Sequence, residues 1–309
     1  MQEIKKKQTL QRVIFLNIIL VVAEIGAGIF SGSMALIADA FHNLGDVLAL
    51  FISLIAIIYG AKEATKTMTF GYIKAEMMAA FINSLFLFVT MIFILFESIK
   101  RFFEPHPIDA PIVILASLIA LLINGYSTYL LSRANIEHHH GDEDPDHKHE
   151  GKDLNITSAY LHMLGDAVIS LSVAVGGILI YFFGIVMIDA LLSTLFSIYI
   201  IKETYPILKK SFFVLMDSSS VDLNRVKELI LEDKRIHSVH DLHIYNPNSK
   251  DIYGSAHIVL DENLNLCDIE NVIESARQNL LKMRITHFVL QPESDKYHNE
   301  TSSCIAHMH

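Results

Sequence analysis

Six long apolar segments constrain this chain more than any other feature. They lie at residues 10–30, 34–59, 77–99, 111–131, 155–182 and 185–201. A helix needs about 20 apolar residues to cross the hydrocarbon core of a bilayer, so the segments predict six transmembrane helices, the last of them short. Of the 309 residues 52% are hydrophobic and 19% are charged, which disfavours a disordered chain, a collagen-like fibre or a small disulfide scaffold.

The charge distribution predicts how these helices are oriented. Thirteen lysines and arginines near the segment ends fall on one side of the membrane, against only Lys100 and Arg101 on the other. Under the positive-inside rule, both termini and the 132–154 loop are cytoplasmic. We expect an integral, multi-pass protein of the plasma (inner) membrane. The formal net charge of −10 gives no reason to expect a nucleic-acid partner.

One short motif occurs twice at membrane depth. Residues 42–46 read HNLGD and residues 162–166 read HMLGD, 120 positions later. In a helix, positions i and i+4 share a face, so each helix offers one imidazole and one carboxylate. The two helices together supply His42, Asp46, His162 and Asp166, enough for a tetrahedral metal site. A lone His–Asp pair could simply stabilise its helix, but the repetition favours ligands.

The two nitrogens and two oxygens of this set favour zinc. Iron(II), cobalt and cadmium could bind the same set, since affinity order alone selects poorly. Calcium and magnesium prefer six or more oxygens and are disfavoured. Asp39, three residues before His42, is either part of a metal or proton pathway or a helix-end group in water.

Four stretches carry a resemblance to a known family. Residues 31–46, 70–76, 162–166 and 240–243 read SGSMALIADAFHNLGD, FGYIKAE, HMLGD and HDLH. On these motifs the chain resembles the cation diffusion facilitator family over nearly its whole length, and its zinc-transporting branch in the paired His and Asp. One departure is Lys74, where the family often has arginine.

The resemblance implies an all-α six-helix transmembrane domain followed by a cytoplasmic α+β domain of the ferredoxin-like fold. It also implies a homodimer that exports a divalent metal, most simply Zn²⁺, in exchange for protons, and no enzymatic activity. We place the transmembrane domain at 1–202, the cytoplasmic domain at 203–292 and a tail at 293–309. The residue pattern after 203 independently predicts the order α-β-β-α-β, with its helices near 223–232 and 267–281 and its strands near 238–245, 252–260 and 285–291.

Two other groups of histidines are cytoplasmic in this topology. The loop at residues 138–150 contains His138, His139, His140, His147 and His149 among five acidic residues. A segment of this composition cannot build a core; it is either a metal collector, as the resemblance implies, or a solvated tether. The tail residues Cys304, His307 and His309 could bind a soft metal or be inert.

The predicted strands of the cytoplasmic domain carry further candidate ligands. The resemblance assigns His240, His257 and Glu293 to a cytoplasmic metal site. His287 joins them as a candidate because it lies an even number of residues from Glu293, which places both side chains on one face of an extended strand. The alternative is that these are surface histidines on an open sheet.

Two other functions share these sequence features. A passive metal channel would share the six spans, and a membrane-tethered metal sensor would bind zinc without moving it. A metallohydrolase is disfavoured because the sequence lacks a His-Glu-x-x-His motif.

Overall fold

The computed structural model of the chain describes residues 2–60, 62, 64–136, 150–248 and 251–300. The side chains at 2–14, 50, 53–54, 56–58, 60, 130–136, 150–163 and 298–300 lie outside that description. The chain divides into two compact units, one of residues 1–52 and 82–207 and the other of residues 53–81 and 208–309.

The six predicted helices are present, and the shortest has 27 residues. They are α1 (Gln2–Ser31), α2 (Met34–Gly60), α3 (Ala75–Phe103), α4 (Ala110–Ile136), α5 (Glu150–Phe183) and α6 (Met187–Leu215). At 1.5 Å per residue, 27 residues span about 40 Å, more than a bilayer core requires. Within the described residues, three helical stretches are long and apolar enough to cross a membrane, namely Ala75–Phe103, Ala110–Tyr129 and Leu164–Phe183.

Helix α6 differs from the prediction in length. It continues to Leu215 and includes Pro206, whereas the apolar run that predicts it ends near residue 201. The run ends at Lys202 and Glu203 because these residues are charged, but both are good helix formers. Apolarity therefore marks where a membrane segment ends and not where its helix ends.

The helical unit has apolar side chains outside and polar side chains inside. Phe93, Phe96, Leu122 and Phe182 are each at least 70% exposed. Carboxyl, amide and hydroxyl groups are buried instead, including those of Asn17, Glu24, Asp39, Asn43, Asn124, Asp166 and Asp189. Such a distribution suits a surface that faces lipid and an interior that carries the function.

The start of α2 is held by a carboxylate from a distant helix. Asp189 of α6 accepts hydrogen bonds from the backbone N–H groups of Met34 (2.8 Å) and Ala35 (3.3 Å) and from the hydroxyl group of Ser33. Ser33 in turn accepts a bond from the N–H of Leu36 at 3.1 Å, as an N-cap residue does. These bonds satisfy N–H groups that would otherwise be unpaired inside the unit, and they anchor the helix that contains His42 and Asp46.

The second unit contains the predicted cytoplasmic domain. Its elements follow the order α7 (Leu223–Ile230), β1 (Ile236–Tyr245), β2 (Ile252–Leu260), α8 (Leu266–Leu281), β3 (Ile285–Ser294) and α9 (Asp295–Glu300). The predicted order α-β-β-α-β is confirmed, and it agrees with a ferredoxin-like domain. Strand β2 lies in the centre of the sheet, antiparallel to β1 and parallel to β3.

One face of this sheet carries the hydrophobic core. Buried side chains from α7 and α8 pack on alternate strand residues such as Val239, Ala256, Ile258 and Leu290. Histidines 240 and 257 occupy the intervening positions, so their side chains project from the opposite face. The binary pattern of the strands thereby separates the apolar core from the candidate ligands.

Lys74, which departs from the family pattern, makes an ion pair within this unit. Its ammonium group lies 2.6 Å from Asp217 Oδ1. Both side chains are exposed, so the pair contributes at most about 1 kcal/mol. Lys74 therefore forms this ion pair through its single ammonium group, whereas an arginine could donate from two nitrogens.

The anchoring role of Asp189 predicts a large effect of its removal. In Asp189→Ala, buried N–H groups at the start of α2 lose their acceptor, which costs about 3 kcal/mol. We expect a markedly lower apparent melting temperature for the purified protein in detergent. The matched control is Asp109→Ala, since Asp109 caps α4 from an exposed position and its loss costs about 1 kcal/mol. Equal shifts in the two variants would contradict the anchoring role.

Candidate metal centres

Helices α2 and α5 bring three of the four predicted transport-site residues together. His42 Nε2 lies 3.3 Å from Asp166 Oδ1 and 3.8 Å from Asp46 Oδ2. One ligand atom from each of the three side chains lies within 4.8 Å of the others. Two donors about 2.1 Å from a tetrahedral zinc are about 3.4 Å apart, so this group needs only small movements to bind a metal.

His162 belongs to α5 and lies one turn before Asp166. Residues four apart share a helix face, so its backbone position suits a fourth ligand from the helix that already contributes Asp166. Its side chain lies outside the described residues, and its participation stays a prediction.

Asp39 lies inside the helical unit and not at a solvated helix end. It is 1% exposed, and its Oδ2 accepts a hydrogen bond from the hydroxyl group of Ser170 at 3.3 Å. Ser170 also accepts a bond from the side-chain amide of Asn124 at 3.3 Å. This burial excludes the alternative in which Asp39 is a helix-end group in water.

A further acidic residue is buried nearby. Glu24 of α1 is 1% exposed, and its Oε2 accepts a hydrogen bond from the side-chain amide of Asn43 at 2.9 Å. Asn43 directly follows His42 in α2. The sequence motifs give no role to Glu24 or Asn43, although an acidic residue within a predicted span is itself a signal of function.

The cytoplasmic sheet assembles a second group of ligands. His240 Nε2 lies 3.3 Å from Glu293 Oε2, and His257 Nδ1 lies 2.8 Å from Glu293 Oε1. The strand register explains the assembly, because His240 is paired with His257 on the neighbouring strand and Glu293 with Val259. Ligand atoms of His240, His257 and Glu293 all lie within 4.8 Å of one another.

A bulge in β1 adds Asp241 to the edge of this group. The register shifts between His240 and His243, and Asp241 has a φ of +49°, a conformation that aspartate tolerates better than most residues. Its carboxylate lies 2.9 Å from His243 Nε2 and 3.6 Å from His257 Nε2. Asp241 is not predictable from the strand alternation, because a bulge changes where a side chain points without a signal in that pattern.

His287 is not brought into this group. It is paired with Tyr253, and its ring centroid lies 5.0 Å from that of Tyr253. Glu293 lies six positions further along the strand, which corresponds to about 20 Å of extended chain. His287 and Glu293 therefore project from the same face of β3 but lie too far apart along the strand to bind one metal ion together.

Other candidate ligands lie outside the described residues or outside these two groups. The loop histidines at 138–140, 147 and 149 and the tail residues Cys304, His307 and His309 are not described. A third group that sequence analysis misses consists of His237, Asp261 and Asp295, all exposed.

Comparison with protein families matches two consecutive stretches of the chain. Residues 10–216 match the cation efflux transmembrane domain, and residues 219–294 match the cytoplasmic domain of cation efflux proteins.

Characterised relatives align over most of the chain. A cadmium, cobalt and zinc/H(+)-K(+) antiporter of Bacillus subtilis is 30% identical over 96% of this chain and 92% of its own length. The metal cation efflux system protein CzcD of Cupriavidus metallidurans is 33% identical over 88% of this chain and 82% of its own. The zinc transporter ZitB of Escherichia coli is 32% identical over 74% of this chain and 70% of its own. The chain therefore belongs to the cation efflux family, the cation diffusion facilitators, and is an integral membrane transporter of divalent metal cations.

Proposed function

We propose that this protein exports Zn²⁺ from the cytoplasm in exchange for protons. The observation that carries the proposal is the convergence of His42, Asp46 and Asp166 inside an apolar helical unit. The names of the relatives support it, since ZitB of Escherichia coli is a zinc transporter and the Bacillus subtilis protein is a zinc/H(+)-K(+) antiporter.

The ligand chemistry favours zinc over the hard cations. With His162 as the fourth ligand, the site offers two imidazole nitrogens and two carboxylate oxygens, a donor set that zinc accepts in tetrahedral geometry. The two carboxylates neutralise the charge of a divalent ion, which lowers the cost of placing it at membrane depth. Cadmium and cobalt fit the same donors, as the name of the Bacillus subtilis relative suggests.

The distance between His42 and Asp166 suggests how protons and metal compete. At 3.3 Å, a proton on His42 Nε2 is attracted to the Asp166 carboxylate. A metal ion bound between the two residues must replace that proton, because metal ligands bind in their deprotonated forms. Zinc binding on the cytoplasmic side therefore releases protons, and protonation from the other side releases zinc. Exposure of the site to one side at a time would complete the exchange.

The cytoplasmic domain supports a regulatory role in a homodimer. The matching cytoplasmic family bears a name that denotes a dimer, and the His240, His257 and Glu293 group offers a zinc site outside the membrane. Zinc at this site would stabilise one arrangement of the paired domains and so bias the transport equilibrium. We further propose that the 138–150 loop collects metal at low affinity and that Asp39 lies on the pathway to the site.

The transport site can be tested by zinc flux in proteoliposomes. We expect His42→Ala, Asp46→Ala and His162→Ala each to lower zinc flux at least 100-fold, because a missing ligand leaves the buried charge of the ion uncompensated. The matched control is His106→Ala, since His106 is an exposed histidine outside the site and its loss should leave flux unchanged. Wild-type flux in Asp46→Ala would contradict the ligand assignment.

The same preparation separates an antiporter from a channel and a sensor. We expect an imposed proton gradient to drive zinc against its own gradient and its collapse to abolish that uptake. Flux that ignores the proton gradient would indicate a channel, and binding without flux would indicate a sensor.

The cytoplasmic group gives a prediction with a matched pair of histidines. In His257→Ala, we expect the loss of about one zinc equivalent per chain, measured by equilibrium dialysis, because His257 contacts Glu293 at the centre of the group. His287→Ala should retain that equivalent, since His287 lies elsewhere on the same face. Equal stoichiometry in the two variants would contradict the cytoplasmic site.

A further inference from the structure

Glu24 is a buried acidic residue that is not one of the proposed metal ligands. It belongs to α1, which contributes none of the proposed ligands, and it is 1% exposed. Its Oε2 accepts the hydrogen bond from Asn43, but among the described residues no N–H or O–H group donates to its Oε1. A buried carboxylate that lacks a donor is expensive to keep ionised.

A cavity of about 190 Å³ gives this carboxyl group access to space between α1 and α4. Glu24 is the only ionisable residue among those that line it, and the others are apolar. The cavity is lined at its outer rim by Leu115 and Ile119, which are exposed. The lining therefore offers the Glu24 carboxyl group no donor and no cation on this side, which favours its neutral form.

The charges that face Glu24 are negative. Asp39 of α2 lies within hydrogen-bonding reach of the Glu24 carboxyl group, and Asp166 of α5 acts on it electrostatically. Two carboxyl groups can share a hydrogen bond only if one of them carries a proton. The residues of α4 that line the cavity are apolar, and Asn43 is uncharged.

Charge balance connects these carboxyl groups to the metal. Glu24, Asp39 and Asp166 are all at most 2% exposed, and the buried polar residues of the described chain include no lysine or arginine. His42 supplies at most one positive charge. Without metal, protons must therefore neutralise part of this group, whereas a divalent ion allows further carboxyl groups to ionise.

From this arrangement we propose that Glu24 is a proton-binding site of the exchange, separate from the metal ligands. When Zn²⁺ binds between α2 and α5, the Glu24 carboxyl group loses its proton to the aqueous side to which the metal site is then open. When Zn²⁺ departs to the other side, the carboxylate takes up a proton from that side. The step is a proton transfer only: the O–H bond of the Glu24 carboxyl group breaks or forms, one proton is released or taken up, and no atom is oxidised or reduced. This inference rests on the proposed exchange of zinc for protons.

Linkage between zinc binding and pH tests the proposal. The full-length protein is purified in detergent with His257→Ala, so that the cytoplasmic group does not contribute, and its zinc affinity is measured by chelator competition at a series of pH values. The slope of log Kd against pH reports how many protons zinc releases. We expect Glu24→Gln to retain zinc binding with a slope smaller by about one proton, and Glu24→Asp to keep the slope of the parent protein.

The control and the contrary results are distinct. Glu104→Gln removes an exposed carboxylate and should leave the slope unchanged. An unchanged slope in Glu24→Gln would overturn the proposal, since Glu24 would then hold one protonation state throughout. Failure of the proposed function gives a different result, namely a parent protein whose zinc affinity does not depend on pH or whose zinc flux ignores a proton gradient.

A second measurement remains decisive if Glu24→Gln does not fold. Infrared difference spectra of the parent protein should show the loss of a protonated carboxyl C=O band when Zn²⁺ is added. In Glu24→Asp, this band should shift in frequency. A spectrum without such a band, or a band that is identical in the two proteins, would overturn the proposal.

Discussion

The cost of placing carboxyl groups among apolar helices governs this structure. Glu24, Asp39 and Asp166 come from three different helices and are almost completely buried. No arrangement of lipid-facing residues can offset that cost, so it has to be met inside the unit by hydrogen bonds, by protons or by a bound cation. The polar interior of the helical unit is organised around these three solutions.

Asp189 shows what a purely structural solution looks like. Its carboxylate is as buried as that of Asp166, but it receives hydrogen bonds from two backbone N–H groups and a hydroxyl group at the start of α2. Both of its oxygens therefore have hydrogen-bond donors. Glu24 and Asp39 receive one hydrogen bond each from the described donors, from Asn43 and Ser170. The supply of fixed donors therefore separates an acid that anchors a helix from acids that keep one oxygen without a described donor.

Much of the transport site follows from sequence because its geometry is local. His42 and Asp46 lie four residues apart, and helical periodicity alone places them on one face; their repetition at 162–166 then indicates the partner helix. The role of Asn43 as a donor to Glu24 depends on a contact across 19 residues between two helices, and helical periodicity carries no information about which faces meet. The same limit applies to Asp39 and Ser170, 131 residues apart.

The cytoplasmic sheet shows a different limit. Alternation along the strands correctly separates His240 and His257 from the core, but it does not give the register that brings Glu293 to them. Alternation also groups His287 with Glu293, since it shows which face a side chain projects from but not how far apart two residues are along the strand. Asp241 cannot be predicted from alternation either, because the β1 bulge interrupts the alternation at that residue.

The two candidate metal groups have similar donors but different surroundings, and this difference suits different tasks. In the helical unit, a bound ion would compensate several buried carboxyl groups, so its binding would be tied to the protonation of its neighbours. On the cytoplasmic sheet, His240 and His257 are partly exposed, and solvent screens their charges. Under the proposed function, zinc there would bind and leave without a compensating movement of protons through the membrane, and would so report the cytoplasmic zinc concentration. The proposal therefore assigns coupling to the group whose buried charge is costly and sensing to the group whose charge water screens.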